Sequence, residues 1–299
     1  MIPCRNRRRS RRTPALAAAA LAVVLAMLLS PAHAARADGA CAGAAPAEVS
    51  GGGRGNGRGV LGDAAHGVEM LVRDTVHILT SPLRMNTGDA LQVGGVLAAA
   101  GALMIFDEEI QDAADRNAGS FPLRPLLETG RFLDPVGYGR MNTYYAGGLV
   151  ASYAAGWETG TAMFGQILTS FTVYGLLKFP VQDLVGRRRP YEDAGAYRFG
   201  VTDASSFPSG HTINVIQVAT VVSHHVERAW FTWIAYGLAA GVALQRIESD
   251  AHWPSDVLLS AVFGVAVARG VIALQEERRL AVVPHTGPQG TGLAAVVRF

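Results

Sequence analysis

Apolar and polar residues alternate in long blocks along most of the chain. Six apolar blocks, rich in Ala, Leu, Val and Gly, are separated by stretches that hold prolines and charges, and blocks of this length favour helices over strands. An amphipathic stretch precedes them at residues 68–79. We therefore predict an all-α fold, a helical bundle of about six core helices with an added N-terminal amphipathic helix. The blocks cover residues 90–106, 143–157, 161–179, 212–223, 230–244 and 257–274.

The two ends of the chain depart from this pattern. Residues 4–12 are rich in arginine, residues 15–29 are apolar, and small residues that suit a cleavage site follow them. A Gly-rich stretch comes next. The last residues, "AAVVRF", are expected to form a lone strand. The chain is thus divided into a signal peptide at 1–37, a Gly-rich linker at 38–61, a helical domain at 62–280 and a C-terminal tail at 281–299.

Composition narrows the class of protein. With 49% hydrophobic and 17% charged residues among 299, the chain can bury a large core. Seven arginines and no acid lie in the first 37 residues, and the remainder holds 19 basic and 24 acidic residues, so nucleic acid is not an expected partner. Cys4 lies in the predicted leader and leaves Cys41 alone. The mature chain therefore forms no internal disulfide and no Cys/His zinc site.

The tetrapeptide Pro-Ser-Gly-His opens the fourth apolar block. Pro208 fixes φ ahead of the predicted helix, and Ser209 and Gly210 are expected to expose backbone N–H groups there. Such groups at a helix start, aligned with the helix dipole, bind phosphate. His211 beside that anion can give a proton to a leaving oxygen. The alternative is that the tetrapeptide is only a helix N-cap.

A second set of polar residues lies in "QRIESDAHWPSD", between the last two blocks. His252 and Asp256 are four residues apart, so the carboxylate can lie near the imidazole and fix its tautomer. Arg246 can grip phosphate oxygens through its fork of donors. The alternative makes Asp256 a helix N-terminal acid and His252 a polar loop residue.

A third set lies in "QDLVGRRRPYED". A run of three arginines is usually a solvated cluster or one that flanks a membrane. Taken together with the two other polar sets, Arg189, which precedes Pro190, is interpreted as a second phosphate clamp.

These three sets resemble the signature of the type 2 phosphatidic acid phosphatase and vanadium haloperoxidase superfamily: K-x6-R-P, then P-S-G-H, then S-R-x5-H-x3-D. Two positions depart from it. Gln182 stands where the family has lysine, and Gln245 stands where it has serine. Gln182 can still donate a hydrogen bond to phosphate, and Lys178, one helical turn earlier, can supply the missing charge.

The resemblance implies a metal-independent phosphatase with no cofactor, which hydrolyses phosphate monoesters or pyrophosphates through a phosphohistidine. In this scheme His252 attacks phosphorus, Asp256 orients it and His211 protonates the leaving group. The expected phosphate ligands are Arg189, Ser209, Gly210, Arg246 and Gln182.

Two other functions fit the same sequence. One is a vanadate-dependent haloperoxidase, in which His252 holds vanadate. The other is a non-catalytic helical membrane protein, which gives no reason for three spaced polar motifs.

Apolar helices around a phosphate site favour a phosphorylated lipid as substrate, although a soluble phosphate ester fits the same motifs. The leader predicts export to the cell envelope, with the domain either soluble in the periplasm or associated with the membrane. A multi-pass inner-membrane protein is the alternative. An exported N-terminus followed by six spans would leave the site in the cytoplasm, so the two assignments conflict.

Overall fold

The computed structural model describes residues 60–200, 205–287 and 290–297. In this part of the chain nine α-helices are followed by a two-stranded sheet, which confirms the predicted all-α class for the domain. The helices are α1 (Val60–Leu79), α2 (Thr87–Met104), α3 (Asp107–Asn117), α4 (Leu123–Leu133), α5 (Asn142–Ala154), α6 (Glu158–Val185), α7 (Gly210–Val226), α8 (Ala229–Glu248) and α9 (Pro254–Arg279).

Helix α7 lies in the middle of the bundle, packed between α6, α8 and α9. Its buried apolar residues contribute to two separate core clusters, one around Val215 and one around Val221. Close helix contacts depend on glycine. A Cβ on Gly264 of α9 would lie 3.0 Å from the carbonyl oxygen of Ile213 on α7. The start of α7, where the Pro-Ser-Gly-His motif lies, is therefore held rigidly by its neighbours.

Two helices, α3 and α4, were not predicted from the apolar pattern. Helix α3 has the sequence "DEEIQDAADRN", which contains so many charged residues that no apolar pattern marks the positions that face the core. Helix α4 packs across α8 at a glycine contact, where a Cβ on Gly130 would lie 2.2 Å from the carbonyl oxygen of Gly241. Both helices are short, and tertiary packing rather than periodicity defines them.

Helix α6 continues through Pro180 and extends six residues beyond the end of the apolar block at residues 161–179. A proline inside a helix removes one backbone donor and usually breaks the helix. The helix ends at Gly186. This residue has a left-handed φ of 54°, and its N–H donates to the carbonyl oxygen of Gln182 at 2.7 Å. Lys178 and Gln182 consequently lie one turn apart on the same continuous helix.

The C-terminal tail forms a hairpin rather than a lone strand. Strand β1 (Leu280–Gly287) pairs antiparallel with β2 (Gly290–Val297), with Leu280 opposite Val297. A lone strand would leave its backbone groups without partners, whereas the hairpin pairs them. The predicted signal peptide and nearly all of the predicted linker lie outside the described residues.

One described helix is long and apolar enough to cross a membrane. It is the 254–277 part of α9, in which an 18-residue window has a mean hydropathy of 2.3, and 56% of that window is buried inside the bundle. Helices α2 and α3, which meet at a bend of 64°, pass the same test as a pair. The core helix of a soluble protein satisfies this criterion as well.

Candidate active site

The loop that carries Arg189 and the loop that carries His252 are joined by direct contacts. The indole nitrogen of Trp253 donates to the carbonyl oxygen of Arg188 at 2.8 Å. The amide of Tyr191 donates to the carbonyl oxygen of Asp250 at 3.1 Å. These bonds bring residues 186–193 and 249–253 together next to the start of α7.

His252 is buried, and its imidazole has a defined tautomer. Its Nδ1 is hydrogen-bonded to the carbonyl oxygen of Ser206. Because a carbonyl oxygen can only accept, Nδ1 carries the proton and Nε2 keeps its lone pair. Burial, reinforced by the charges of Arg189 and Arg246, lowers the pKa of His252 to about 3. The imidazole is therefore neutral at physiological pH.

Asp256 acts on His252 through Ser206 and not by direct contact, which corrects the expected arrangement. One carboxylate oxygen accepts from the Ser206 hydroxyl at 2.5 Å, and the other accepts from Arg187 at 2.7 Å. Ser206 thus contacts Asp256 through its side chain and His252 through its backbone. The carboxylate fixes the residue whose carbonyl oxygen fixes the imidazole.

Arg187 is the centre of a buried polar cluster that sequence reasoning missed. Its side chain is 2% exposed and forms ion pairs with Asp256 and Asp107, each with an N–O distance of 2.7 Å. The Ser255 hydroxyl donates to Asp107 at 2.6 Å, and the guanidinium also donates to the Ala196 carbonyl oxygen. Burial raises the pKa of Asp107 to about 6 although Arg187 opposes this shift. The first arginine of the run is therefore structural, not solvated.

The start of α7 offers fewer amide donors than the sequence suggested. The N–H of Ser209 donates to the Ser260 hydroxyl at 2.8 Å, and the Ser209 hydroxyl pairs with that of Thr212. Ser209 therefore holds the turn, and the unbonded amides of the helix start begin at Gly210. A Cβ at Gly210 would lie 2.6 Å from the Tyr174 hydroxyl, so a larger residue there would require Tyr174 to move.

His211 follows, with its side chain 22% exposed. Its Nε2 is 3.9 Å from a carboxylate oxygen of Asp134, and Tyr138 packs edge-on against the ring at a centroid distance of 4.6 Å. Burial and the charge of Arg246 lower the pKa of His211, and Asp134 opposes them. Among the described residues no group hydrogen-bonds to this Nε2. The nitrogen is thus buried without a partner in the described part of the chain.

Two guanidiniums lie close to these imidazoles. The guanidinium of Arg246 lies 2.9 Å from a carboxylate oxygen of Asp134. It also donates to the side-chain oxygen of Gln245, the second position that departs from the signature. Arg189 donates from Nε to the Ser205 hydroxyl at 3.0 Å. Both arginines depress the pKa of His252, as expected for cations nearby. Their remaining N–H groups can bind an oxyanion.

Helix α6 forms a further side of this region. Tyr174, Lys178 and Gln182 follow one another at intervals of four residues, so they share a face of the helix. The Tyr174 hydroxyl meets Gly210, and it is buried without a hydrogen-bond partner among the described residues. The charge of Lys178 reaches His211 and contributes to its lowered pKa. Gln182, in the family lysine position, is buried and brings no charge.

The second half of the chain matches a known family. Residues 161–280 match the model of the PAP2 superfamily, and all three motifs fall within them.

Relatives and solved structures share parts of this chain. The lipid A 1-phosphatase of Porphyromonas gingivalis is 35% identical over 82 residues, which cover 25% of this chain and 18% of that protein. The lipid A 1-phosphatase of Rhizobium etli is 31% identical over 104 residues, 33% of this chain and 44% of that protein. This chain therefore spans less than half the length of either relative.

Two crystal structures, each 22% identical, align at low overall similarity. Aquifex aeolicus LpxE aligns with a TM-score of 0.41 over 57% of this chain and 95% of that one. The transmembrane PAP2 type phosphatidylglycerolphosphate phosphatase of Bacillus subtilis aligns with a TM-score of 0.43 over 71% and 96%.

Motif order, spacing and the match to the family model agree. Residues 161–280 of this chain are therefore similar to the PAP2 superfamily.

Proposed function

We propose that the protein is a phosphatase that hydrolyses phosphate monoesters or pyrophosphates through a phosphohistidine on His252. The observation that carries this proposal is the state of that imidazole. It is buried and neutral, its Nδ1 proton is held by the Ser206 carbonyl oxygen, and its Nε2 lone pair is free to attack. A structural histidine would not need two guanidiniums nearby.

The first step transfers the phosphoryl group to the enzyme. Nε2 of His252 forms a bond to phosphorus while the bond from phosphorus to the leaving oxygen breaks. His211 gives its proton to that oxygen, so the leaving group departs as an alcohol or phosphate. Arg189, Arg246 and the amide of Gly210 bind the equatorial oxygens, where positioning and electrostatics lower the barrier.

The second step regenerates the enzyme. His211, now neutral, accepts a proton from water, and the oxygen of that water bonds to phosphorus. The phosphorus–nitrogen bond breaks, and its electron pair returns to Nε2 of His252. Inorganic phosphate leaves, His252 is neutral again and His211 is protonated, so the cycle closes.

A phosphorylated lipid is the substrate class that the surroundings of the site favour. An apolar groove of about 220 Å³ lies between α4, α7 and α8. Two residues that line it, Leu133 and Val136, flank Asp134, which contacts Arg246. A lipid tail in this groove would leave its phosphate at the guanidiniums. The two relatives named lipid A 1-phosphatases agree with this class.

The outer surface of the bundle supports association with a membrane, at the periplasmic face that the predicted leader implies. Large apolar side chains stand exposed on three helices, which is costly in water. They include Leu91, Leu97, Leu176, Phe179, Leu184, Trp230, Trp233 and Ile234. We expect the protein to sediment with membranes after cell fractionation. Release by an alkaline carbonate wash would identify peripheral binding, and retention would identify an integral protein.

Phosphate release from a panel of substrates tests the proposed function. The panel includes a lipid A-type glycolipid phosphate, phosphatidic acid, a polyprenyl pyrophosphate and a soluble aryl phosphate. We expect release without added metal or vanadate, and loss of at least 1,000-fold in kcat in His252→Asn. His224→Asn is the matched control, since His224 pairs with Glu276 away from the site. A His252→Asn variant with wild-type activity would end the assignment.

A further inference from the structure

A segment outside the three motifs packs against His211 and the start of α7. Residues 134–140, "DPVGYGR", precede α5 and lie outside the residues matched by the family model. The carbonyl oxygen of Gly137 accepts from the side-chain amide of Asn214 on α7 at 2.8 Å. A Cβ on Gly137 would lie 2.9 Å from the Cα of His211, so only glycine allows this approach. The 134–140 segment is therefore fitted to the start of α7.

Asp134 is the charged residue that this segment brings to the site. Its carboxylate lies between two groups that the mechanism uses, 2.9 Å from a guanidinium nitrogen of Arg246 and 3.9 Å from Nε2 of His211. Its side chain is 13% exposed. A carboxylate in this place repels a phosphate, so phosphate binding alone gives no reason for it.

The charges around His211 show what the carboxylate opposes. Arg246 on α8, Lys178 on α6 and Arg189 in the loop after α6 are positive and disfavour the imidazolium. His252 is neutral and Tyr138 is uncharged. Within the described residues that act on His211, Asp134 supplies the opposing negative charge.

We propose that Asp134 is a positioning residue of this site, which orients His211 toward the leaving oxygen and holds Arg246 beside it. The inference rests on the proposed function. A general acid must carry its proton when substrate arrives, and three nearby cations work against that state. The carboxylate of Asp134 stabilises the imidazolium and keeps the guanidinium of Arg246 within reach of the phosphoryl oxygens.

The substitution Asp134→Asn removes the charge and keeps the size of the side chain. We expect kcat to fall about 10-fold and the alkaline limb of the pH–rate profile to move down by about one pH unit. KM should change less than kcat, because no group that binds phosphate is lost. Glu128→Gln on the preceding helix is the control, since Glu128 is exposed and pairs with Arg124. A residue that only supports the fold would lower kcat without moving the limb.

An NMR titration of the His211 imidazole separates this inference from the proposed function, because it needs no substrate. The apparent pKa of His211 should be lower in Asp134→Asn than in the wild type by about one unit. An unchanged pKa overturns the role of Asp134 whether or not any phosphate ester is hydrolysed. If the wild type hydrolyses nothing on the panel while the pKa still moves, the phosphatase assignment fails and the electrostatic coupling stands.

Asp134→Glu keeps the inference testable if Asp134→Asn does not fold. The longer side chain retains the charge but displaces it, so kcat should fall about fivefold while the alkaline limb stays in place. Wild-type kcat in this variant would overturn the positioning role.

Discussion

The two sides of the pair His211 and His252 are built differently. Behind His252 lies the inner cluster of Arg187, Asp107, Asp256, Ser206 and Ser255, whose side chains are all buried and are joined by hydrogen bonds. In front lies the outer rim of Asp134, Lys178, Arg189, His211 and Arg246, which is only partly buried. There the Nε2 of His211 has no hydrogen-bond partner among the described residues.

This difference indicates that the inner cluster and the outer rim have different roles. Groups in the inner cluster use their bonding capacity on one another, so they can hold a geometry but cannot bind a ligand. Groups in the outer rim keep donors and charges unused, which is costly unless a ligand or solvent engages them. We infer that the inner cluster positions the nucleophile and the outer rim binds phosphate.

The largest effect is expected from Arg187→Met. The change leaves Asp107 and Asp256 buried as uncompensated carboxylates, which costs about 3–5 kcal/mol of folding free energy. Urea unfolding measures the loss. Arg188→Met, at the neighbouring residue that pairs with Glu192 near the surface, should cost under about 1 kcal/mol. Equal effects at the two arginines would remove the distinction between inner cluster and surface.

In the outer rim, Arg246→Gln should affect turnover far more than stability. Loss of one guanidinium that binds the transition state lowers kcat/KM by about 100- to 1,000-fold. Arg228→Gln, at the exposed start of the same helix, should leave the rate within about twofold of wild type. The measurement is steady-state hydrolysis beside urea unfolding. A fall in stability as large as that of Arg187→Met would place Arg246 in the scaffold instead.

The neutral state of His252 should show in the pH dependence of stability. Its pKa is about 3 in the folded protein and about 6.5 in an unfolded chain, so between these values the unfolded state binds more protons. The unfolding free energy therefore falls as pH falls through this window. Between pH 7 and pH 5 the wild type should lose about 2 kcal/mol more than His252→Asn.

The comparison with His252→Asn is needed because Asp107 changes the unfolding free energy with pH in the opposite direction. Its folded pKa of about 6 lies above the unfolded value of about 4, so its contribution to stability rises as pH falls from 6 toward 4. Both proteins share that contribution, and it cancels in the difference. Parallel pH profiles for the two proteins would mean that His252 is protonated in the folded state.

The smallest effect is expected at Lys178, at the edge of the outer rim. Lys178→Met should raise KM about 3- to 10-fold, the usual range for one partly exposed charge near an anion. Adding Gln182→Lys, which restores the family residue one turn later, should recover the loss. Failure of this second change to improve KM would show that the two positions on α6 do not face the same ligand.

Much of the site was predictable because its residues lie at fixed spacings along the chain. Arg246 lies in the last turn of α8, His252 in the loop that follows and Asp256 in the first turn of α9, so sequence distance limits their separation in space. The start of α7 was predictable in the same way, since proline, serine and glycine mark a helix N-terminus.

Other features depend on residues that only the fold brings together. The run of Arg187, Arg188 and Arg189 offers no local signal for which guanidinium is buried, since the partner Asp107 lies 80 residues earlier. Asp134 lacks a motif of its own. Its role depends on a glycine contact with α7 that the sequence alone does not reveal. The link from Asp256 to His252 is indirect. The hydroxyl of Ser206 donates to Asp256, and the carbonyl oxygen of the same residue accepts from His252.

Trapping of a phosphorylated intermediate tests the central claim most directly. The enzyme is mixed with a ³²P-labelled substrate from the panel, quenched in alkali within milliseconds and digested for mass spectrometry. We predict a label that is stable in alkali, labile in acid and located on His252, and that is lost in His252→Asn. Rapid hydrolysis by the wild type with no label on this residue, or with the label on His211, would contradict the account.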